Sequence, residues 1–191
     1  MNSMQIKNKP WAEQKRMLKA EPIPEIERVL SDAKDIENPR SATLFCLMYL
    51  TACRISEIIN IEKKDLIRKS HNNIPLLIIS IKNLKNRGRH WKKIPIPLNN
   101  KIYIEFYKII KNYTNTLSND EMLFNIGKRR AQQIISTSFG INSHLFRHIR
   151  LTHLAEMGLT DQELLKYAGW TDSRPAKHYI HMNWRSLVGK L

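Results

Sequence analysis

Two arginines, a histidine, a late tyrosine and a run of lysines are the side chains whose types and spacing suit chemistry on an anion. Arg54 stands in Thr51-Ala52-Cys53-Arg54-Ile55-Ser56-Glu57, at the junction of two apolar stretches. A guanidinium there is costly unless it is paired or faces a ligand. Glu57, three residues on, shares a helical face with it and can hold it. His144 and Arg147 lie at i and i+3 of His144-Leu145-Phe146-Arg147-His148 and project together from a helix. Leu151 and Leu154 continue that face and would anchor it in a core; Phe146 and Ile149 lie off it. Residues 81–93 carry Lys82, Lys85, Arg87, Arg89, Lys92 and Lys93 around Gly88, with no acid. A hairpin tip of that kind can enter a DNA groove and bring one lysine to a phosphate. Tyr179 closes a basic segment that starts at Gly169-Trp170. Each feature alone also has a bland use: a structural ion pair, a solvated loop, a chance match, a packed aromatic.

The charge balance gives these cations a context. The chain has 191 residues, 32 Lys or Arg against 17 Asp or Glu, and a formal net charge of +15. The excess falls almost wholly after residue 65, and there is no carboxylate between Asp65 and Glu105 or between Glu121 and Glu156. Lys128, Arg129 and Arg130 fall in the second of these stretches. Self-repulsion on this scale costs stability, so a polyanionic partner is the natural reason to tolerate it. Double-stranded DNA fits best, and an anionic membrane surface is the weaker fit. The apolar share of 42% is that of a globular chain. No apolar run nears the ~18 residues of a membrane span, and the N-terminus lacks a secretory signal's apolar region. Cys46 and Cys53 are the only cysteines, which gives a disulfide or zinc scaffold little support. A reducing, cytoplasmic setting follows as the expectation.

The elements that must position these side chains are mostly helical. A polar lead-in over residues 1–21 includes a short helical pattern at 11–18. Pro24 suits the first turn of a helix over about 24–33. A second helix, about 40–53, is apolar nearly all round and reads as buried. A third begins after Arg54. Residues 74–81 are short and β-branched and predict a strand, and a second falls within 90–97. Together they make a hairpin with a long cationic connection. Helical spacing returns at about 99–113, 128–138, 144–157, 161–167 and 174–182. The fold class expected is mostly α with a small antiparallel sheet (α+β).

Taken in order, these segments resemble the catalytic domain of the tyrosine recombinase (phage integrase) family, over roughly residues 22–182. TACRISE resembles the family's TGxRxSE segment, HLFRH its HxLRH box, Leu165-Lys166-Tyr167-Ala168-Gly169-Trp170 its LLGH segment, and Lys177-His178-Tyr179-Ile180-His181 its xxYxH ending. The run from Gly169-Trp170 through Ser173-Arg174-Pro175 to Tyr179-Ile180-His181 looks most like integrases of archaeal viruses and plasmids. The resemblance implies that Arg54, Lys82, His144, Arg147, Trp170 and Tyr179 are catalytic, with Glu57 supporting. Lys85, Arg87, Arg89, Lys92, Lys93, Lys128, Arg129 and Arg130 are then DNA-contacting. Lys82 is the choice for the family's hairpin lysine, and Lys85 the alternative. Trp170 stands where the family usually has His; an indole N–H can still donate to a phosphate oxygen but cannot act as acid or base. The family's N-terminal core-binding domain has no counterpart in these residues, so the chain reads as an excised catalytic domain or a minimal form.

The activity implied is site-specific cleavage and rejoining of DNA strands through a 3′-phosphotyrosyl intermediate, with no metal and no cofactor. Arg54 and Arg147 would grip the non-bridging oxygens with permanently charged forks. His144 would assist proton transfer and Lys82 would protonate the leaving 5′-oxygen. Partners implied are double-stranded DNA and other protomers in a tetrameric synapse. Trp184, Leu187, Val188 and Leu191 of the tail at 183–191 would pack on a neighbour or on the chain itself. The expected location is the nucleoid. Two other readings stay open: a catalytically idle DNA-binding regulator, and a type IB topoisomerase-like enzyme.

Overall fold

The computed structural model describes residues 23–82, 91–139 and 143–180. Its helices are α1 (Ile26–Lys34), α2 (Pro39–Thr51), α3 (Ile55–Ile58), α4 (Lys101–Thr114), α5 (Lys128–Phe139), α6 (Ser143–Glu156), α7 (Asp161–Ala168) and α8 (Arg174–Ile180). Strands β1 (Leu66–His71), β2 (Ile74–Lys82) and β3 (Trp91–Pro97) form one antiparallel sheet in the order β1-β2-β3. The structure is therefore mostly helical with a small sheet, as the spacing of apolar residues predicts.

Helix α2 is the hub. Pro39 occupies its first turn, and the Asn38 side chain accepts from Ser41 N at 3.0 Å. Every residue from Ala42 to Thr51 is buried, so this helix is wrapped on all sides, with α4 and α6 as its main neighbours. Phe45 meets Phe146 of α6 edge-on at 4.6 Å, and Tyr49 stacks on Phe106 of α4 at 5.4 Å. Pairs of that kind add about 1 kcal/mol each to the area they bury. His153 of α6 completes the junction. Its Nδ1 lies 2.7 Å from Tyr49 Oη and its Nε2 lies 2.8 Å from the Pro24 carbonyl, which ties the start of the described chain to two helices.

The sheet covers one side of this core. Leu77, Ile79 and Ile81 of β2 face inward with Ile94 and Ile96 of β3, and the register pairs Ile79 with Ile94 and Leu77 with Ile96. Pro95 and Pro97 are tolerated because β3 is an edge strand. Strand β1 is an addition to the two-stranded hairpin that the sequence predicts. Its side chains are almost all exposed, and it joins β2 through Asn72 and Asn73, both at positive φ (49° and 61°). That two-residue turn matches the strands' twist.

A second, smaller apolar cluster seats the last two helices. It consists of Ala52, Leu151, Leu154, Ala155, Leu164, Ala168 and Ala176. Four alanines among seven residues let α7 and α8 approach α6 closely. Thr160 caps α7 in a reciprocal pair with Glu163, and Gly169 ends it in the left-handed region at φ 66°. The predicted lead-in (1–21), the hairpin tip with Lys85, Arg87 and Arg89, and the tail at 183–191 lie outside the described residues.

Candidate active site

Arg147 is the best-held cation of the site. It is buried on the first turns of α6. Its Nη1 donates to the Ala52 carbonyl at 2.8 Å and its Nη2 to the Ala168 carbonyl at 2.9 Å. The ends of α2 and α7, each turned by a left-handed residue (Ala52 at φ 50°, Gly169 at φ 66°), thus present their last carbonyls to one guanidinium. Burial depresses the Arg147 pKa, and the like charge of Arg54 acts in the same direction, while Cys53 and Glu57 oppose them. An arginine starts from so high a pKa that it stays charged.

Arg54 caps α3 from its N-terminus. Glu57 is buried and serves it twice: Oε2 accepts the Arg54 backbone N–H at 2.8 Å and Oε1 accepts Nη1 at 3.2 Å. The side chain of Arg54 remains about a third exposed. The carboxylate therefore fixes the backbone and one edge of the fork, which leaves other donors for a ligand.

Tyr179 arrives from α8. Ala176, fully buried one turn earlier, locks that helix into the small cluster. The Tyr179 ring stacks with Trp170 at 6.0 Å between centroids, and Trp170 in turn lies under the Arg147 guanidinium at 5.2 Å. Tyr179 Oη is 3.3 Å from His148 Nδ1. Burial raises the phenol pKa above its usual value, and the Arg147 charge partly offsets this. The phenol is thus protonated at neutral pH.

The remaining sequence candidates are distributed as follows. His144 is exposed at the start of α6, although it shares that helix with Arg147. Lys82 is exposed at the end of β2, paired across the sheet with Trp91. Lys93 is exposed on β3, and Lys128, Arg129 and Arg130 are exposed in the first turn of α5, where Arg130 Nη1 donates to Gln133 at 2.8 Å. Lys92 is different. Its Nζ donates to Cys53 Sγ at 3.2 Å and lies 5.6 Å from the Tyr167 ring centre. Burial lowers its pKa; Arg147 lowers it further, whereas Cys53 and Glu57 raise it. With Cys53, Glu57, Ile81, Ala168 and Gly169 it lines a small pocket beside Arg147. The alternation Lys92-Ile94-Ile96 signals this placement, because residues two apart share a face of a strand.

A second residue that function-directed reading passes over is Arg150. It is 2% exposed, with both Nη atoms 3.2 Å from Tyr103 Oη and its guanidinium 5.1 to 6.0 Å from the rings of Tyr49, Tyr103 and Tyr167. Burial disfavours its charge, but the surrounding phenols more than offset this. Tyr167 also donates to the Leu50 carbonyl. This cage staples α2, α4, α6 and α7 together.

Arg147, Trp170 and Tyr179 therefore form a contiguous stack, and Arg54 lies near enough for its charge to act on Arg147; guanidinium and indole donors beside a phenol are groups able to grip a tetrahedral anion next to an oxygen nucleophile. The described residues contain no group of three or more His, Cys, Asp or Glu arranged to hold a metal ion, and no described helix is long and apolar enough to cross a membrane.

The chain belongs to the phage integrase family, whose model matches residues 18–185. Its fold is shared with solved recombinases. The XerH site-specific recombinase, in a post-cleavage complex with palindromic difH substrate, aligns with a TM-score of 0.62 at 17% identity, over 86% of this chain and 50% of XerH. The XerA recombinase aligns with a TM-score of 0.62 at 14% identity, over 89% of this chain and 65% of XerA. The catalytic domain of bacteriophage HP1 integrase aligns with a TM-score of 0.58 at 16% identity, over 87% of this chain and 90% of that domain. The chain thus spans about half the length of XerH and most of the isolated HP1 domain. No curated protein sequence matches it.

Proposed function

We propose that this chain, over residues 22–182, is the strand-transferring domain of a site-specific DNA recombinase. The observation that carries this reading is the stack of Arg147, Trp170 and Tyr179, with centre separations of 5.2 and 6.0 Å, supplied by α6, the turn after α7, and α8. The Tyr179 Oη attacks the phosphorus of one backbone ester, the bond to the 5′-oxygen breaks, and the strand is left joined to the phenol by its 3′-phosphate. Arg54 and Arg147 neutralise the non-bridging oxygens, and the Trp170 indole N–H donates to the same group. Each preorganised donor of this kind is worth about 3 kcal/mol of transition-state stabilisation. Lys82 or Lys85 protonates the leaving 5′-oxygen. A religating 5′-hydroxyl from a partner strand reverses the step, so bond energy is conserved without a nucleotide or a metal. Double-stranded DNA is the substrate, and four protomers on two duplexes make the working assembly.

The test uses nicked duplexes drawn from repeats flanking the chain's own coding sequence, so that the cleaved end diffuses away. Wild-type protein is expected to form a covalent protein–DNA complex that survives denaturation. Tyr179→Phe is expected to form none while binding the same duplex within about twofold. Relaxation of supercoiled plasmid irrespective of sequence would point to a topoisomerase instead, and binding without any covalent product to an idle regulator.

A further inference from the structure

We infer that Tyr167, held in place by Arg150, is a positioning residue that fixes the aim of the Arg147 guanidinium at the phosphate. The inference rests on the strand-transfer reading above and deepens it. It starts from the seat of Arg147. Nη1 donates to the Ala52 carbonyl just past α2, and Nη2 to the Ala168 carbonyl at the end of α7. Neither carbonyl belongs to α6, so the aim of the fork depends on how the ends of two other helices are held together.

Tyr167 joins those two ends. It precedes Ala168 in the chain, and its hydroxyl donates to the carbonyl of Leu50, two residues before Ala52. Leu50 lies in the last turn of α2, where carbonyls lack an intrahelical donor and need an outside partner. A closed ring of contacts results. It runs from Arg147 to Ala52, back along the chain to Leu50, across to Tyr167, on to Ala168 and back to Arg147. The Tyr167 ring also packs against both apolar clusters. Removing the hydroxyl opens the ring of contacts and leaves the spacing of the two carbonyls to less directional apolar packing.

Arg150 braces the phenol from α6. It lies three residues after Arg147, as its neighbour on the helix surface. Its guanidinium is 6.0 Å from the Tyr167 ring centre and 5.1 Å from that of Tyr49, the residue before Leu50. Both Nη atoms donate to Tyr103 Oη, while Nε is buried without a hydrogen-bond partner among the described residues. A buried guanidinium among phenols is a poor choice for stability alone, because an apolar side chain of similar length fills the space without losing hydration. What the charge adds falls on Tyr167. Burial raises the Tyr167 pKa and the Arg150 charge opposes this. The hydroxyl stays protonated, and the cation beside the ring polarises it as a donor to Leu50. One helix thus carries both the guanidinium that grips the phosphate and the one that steadies its seat.

Single-turnover cleavage of the nicked duplex at saturating protein tests this. Tyr167→Phe removes only the hydroxyl. It is expected to slow cleavage by roughly tenfold or more, the scale of a misaimed catalytic group, with duplex affinity within about twofold of wild type. Arg150→Met keeps the side-chain length and removes the charge. It is expected to melt within a few degrees of wild type and yet to cleave roughly fivefold more slowly or worse. A double-mutant cycle separates positioning from general support. Arg147→Lys replaces the planar fork with a point charge, so Tyr167→Phe should slow that background by less than about threefold. Equal slowing in both backgrounds makes Tyr167 a structural residue and overturns the inference. Cleavage by Tyr167→Phe or Arg150→Met within about twofold of wild type also overturns it, as does loss of folding or of duplex binding in Tyr167→Phe. A wild-type chain that yields no covalent complex ends the strand-transfer reading, and this inference with it. A normal wild-type complex with both variants indifferent removes this inference alone.

Discussion

Ala52 shows how one residue's backbone geometry sets the site. It sits at φ 50° and ψ 25° at the C-cap of α2, fully buried, with its carbonyl on Arg147. A left-handed L-residue costs roughly 1–2 kcal/mol. Glycine would relieve that strain, but it removes a buried methyl worth about 0.8 kcal/mol and loosens the unfolded chain. Ala52→Gly should therefore change stability by less than about 1 kcal/mol, whereas Ala52→Val adds β-branching at positive φ in a filled space and should lose about 2 kcal/mol or more. Denaturant melts of the two variants check this, and a strongly destabilised glycine variant would argue against the strain assignment. At this scale much was legible beforehand. Arg54 and Glu57 pair as their spacing implies, and Trp170 and Tyr179 lie beside Arg147. What could not be read was that His148 comes within 3.3 Å of the phenol, because that contact depends on how α8 docks against α6.

At the scale of elements, His153 binds α6 to α2 and to the chain ahead of α1. Its two contacts suit a neutral ring, with the Tyr49 hydroxyl donating to Nδ1 and Nε2–H donating to Pro24. Burial lowers its pKa; the Pro24 hydrogen bond opposes this and the Arg150 charge assists it. An unfolded histidine has pKa ~6.5, so below that pH the unfolded chain binds the proton first. The stabilisation is present above about pH 6.5 and is lost as pH falls toward the lower folded pKa. Thermal melts at pH 8 and pH 5 should show a smaller difference in His153→Gln than in wild type; equal differences would mean that His153 does not titrate on unfolding. Strand β1 marks the limit of pattern reading here. Arg68, Lys69, Ser70 and His71 are exposed, so no alternating apolar signal exists, and only the Asn72-Asn73 turn betrays the strand. The helices were easier, because α1 and α4 bury apolar stripes at helical spacing. Lys92 lies between these cases: its charge suggests a surface, yet its place two residues before Ile94 turns it inward.

The whole molecule carries +15, and its exposed cations include Lys82, Lys93, Lys128, Arg129 and Arg130. A duplex held by about six phosphate contacts should show a slope of roughly −5 in log affinity against log salt. Titration between low and moderate salt gives that slope, and a flat profile would be incompatible with DNA as the partner. Fold class and family were accessible from the order of short motifs, because four segments spread over 126 residues from Arg54 to Tyr179 recur in one sequence. The stacking of Trp170 and Tyr179 against Arg147 was not accessible, since it depends on how closely alanine-rich surfaces let α7 and α8 approach α6. The most direct measurement isolates the covalent complex, digests both components and maps the modified peptide by mass spectrometry. Nucleotide attached through a 3′-phosphate to Tyr179, with a free 5′-hydroxyl on the released strand, is the expected result. Attachment to another residue, or through a 5′-phosphate, would contradict it.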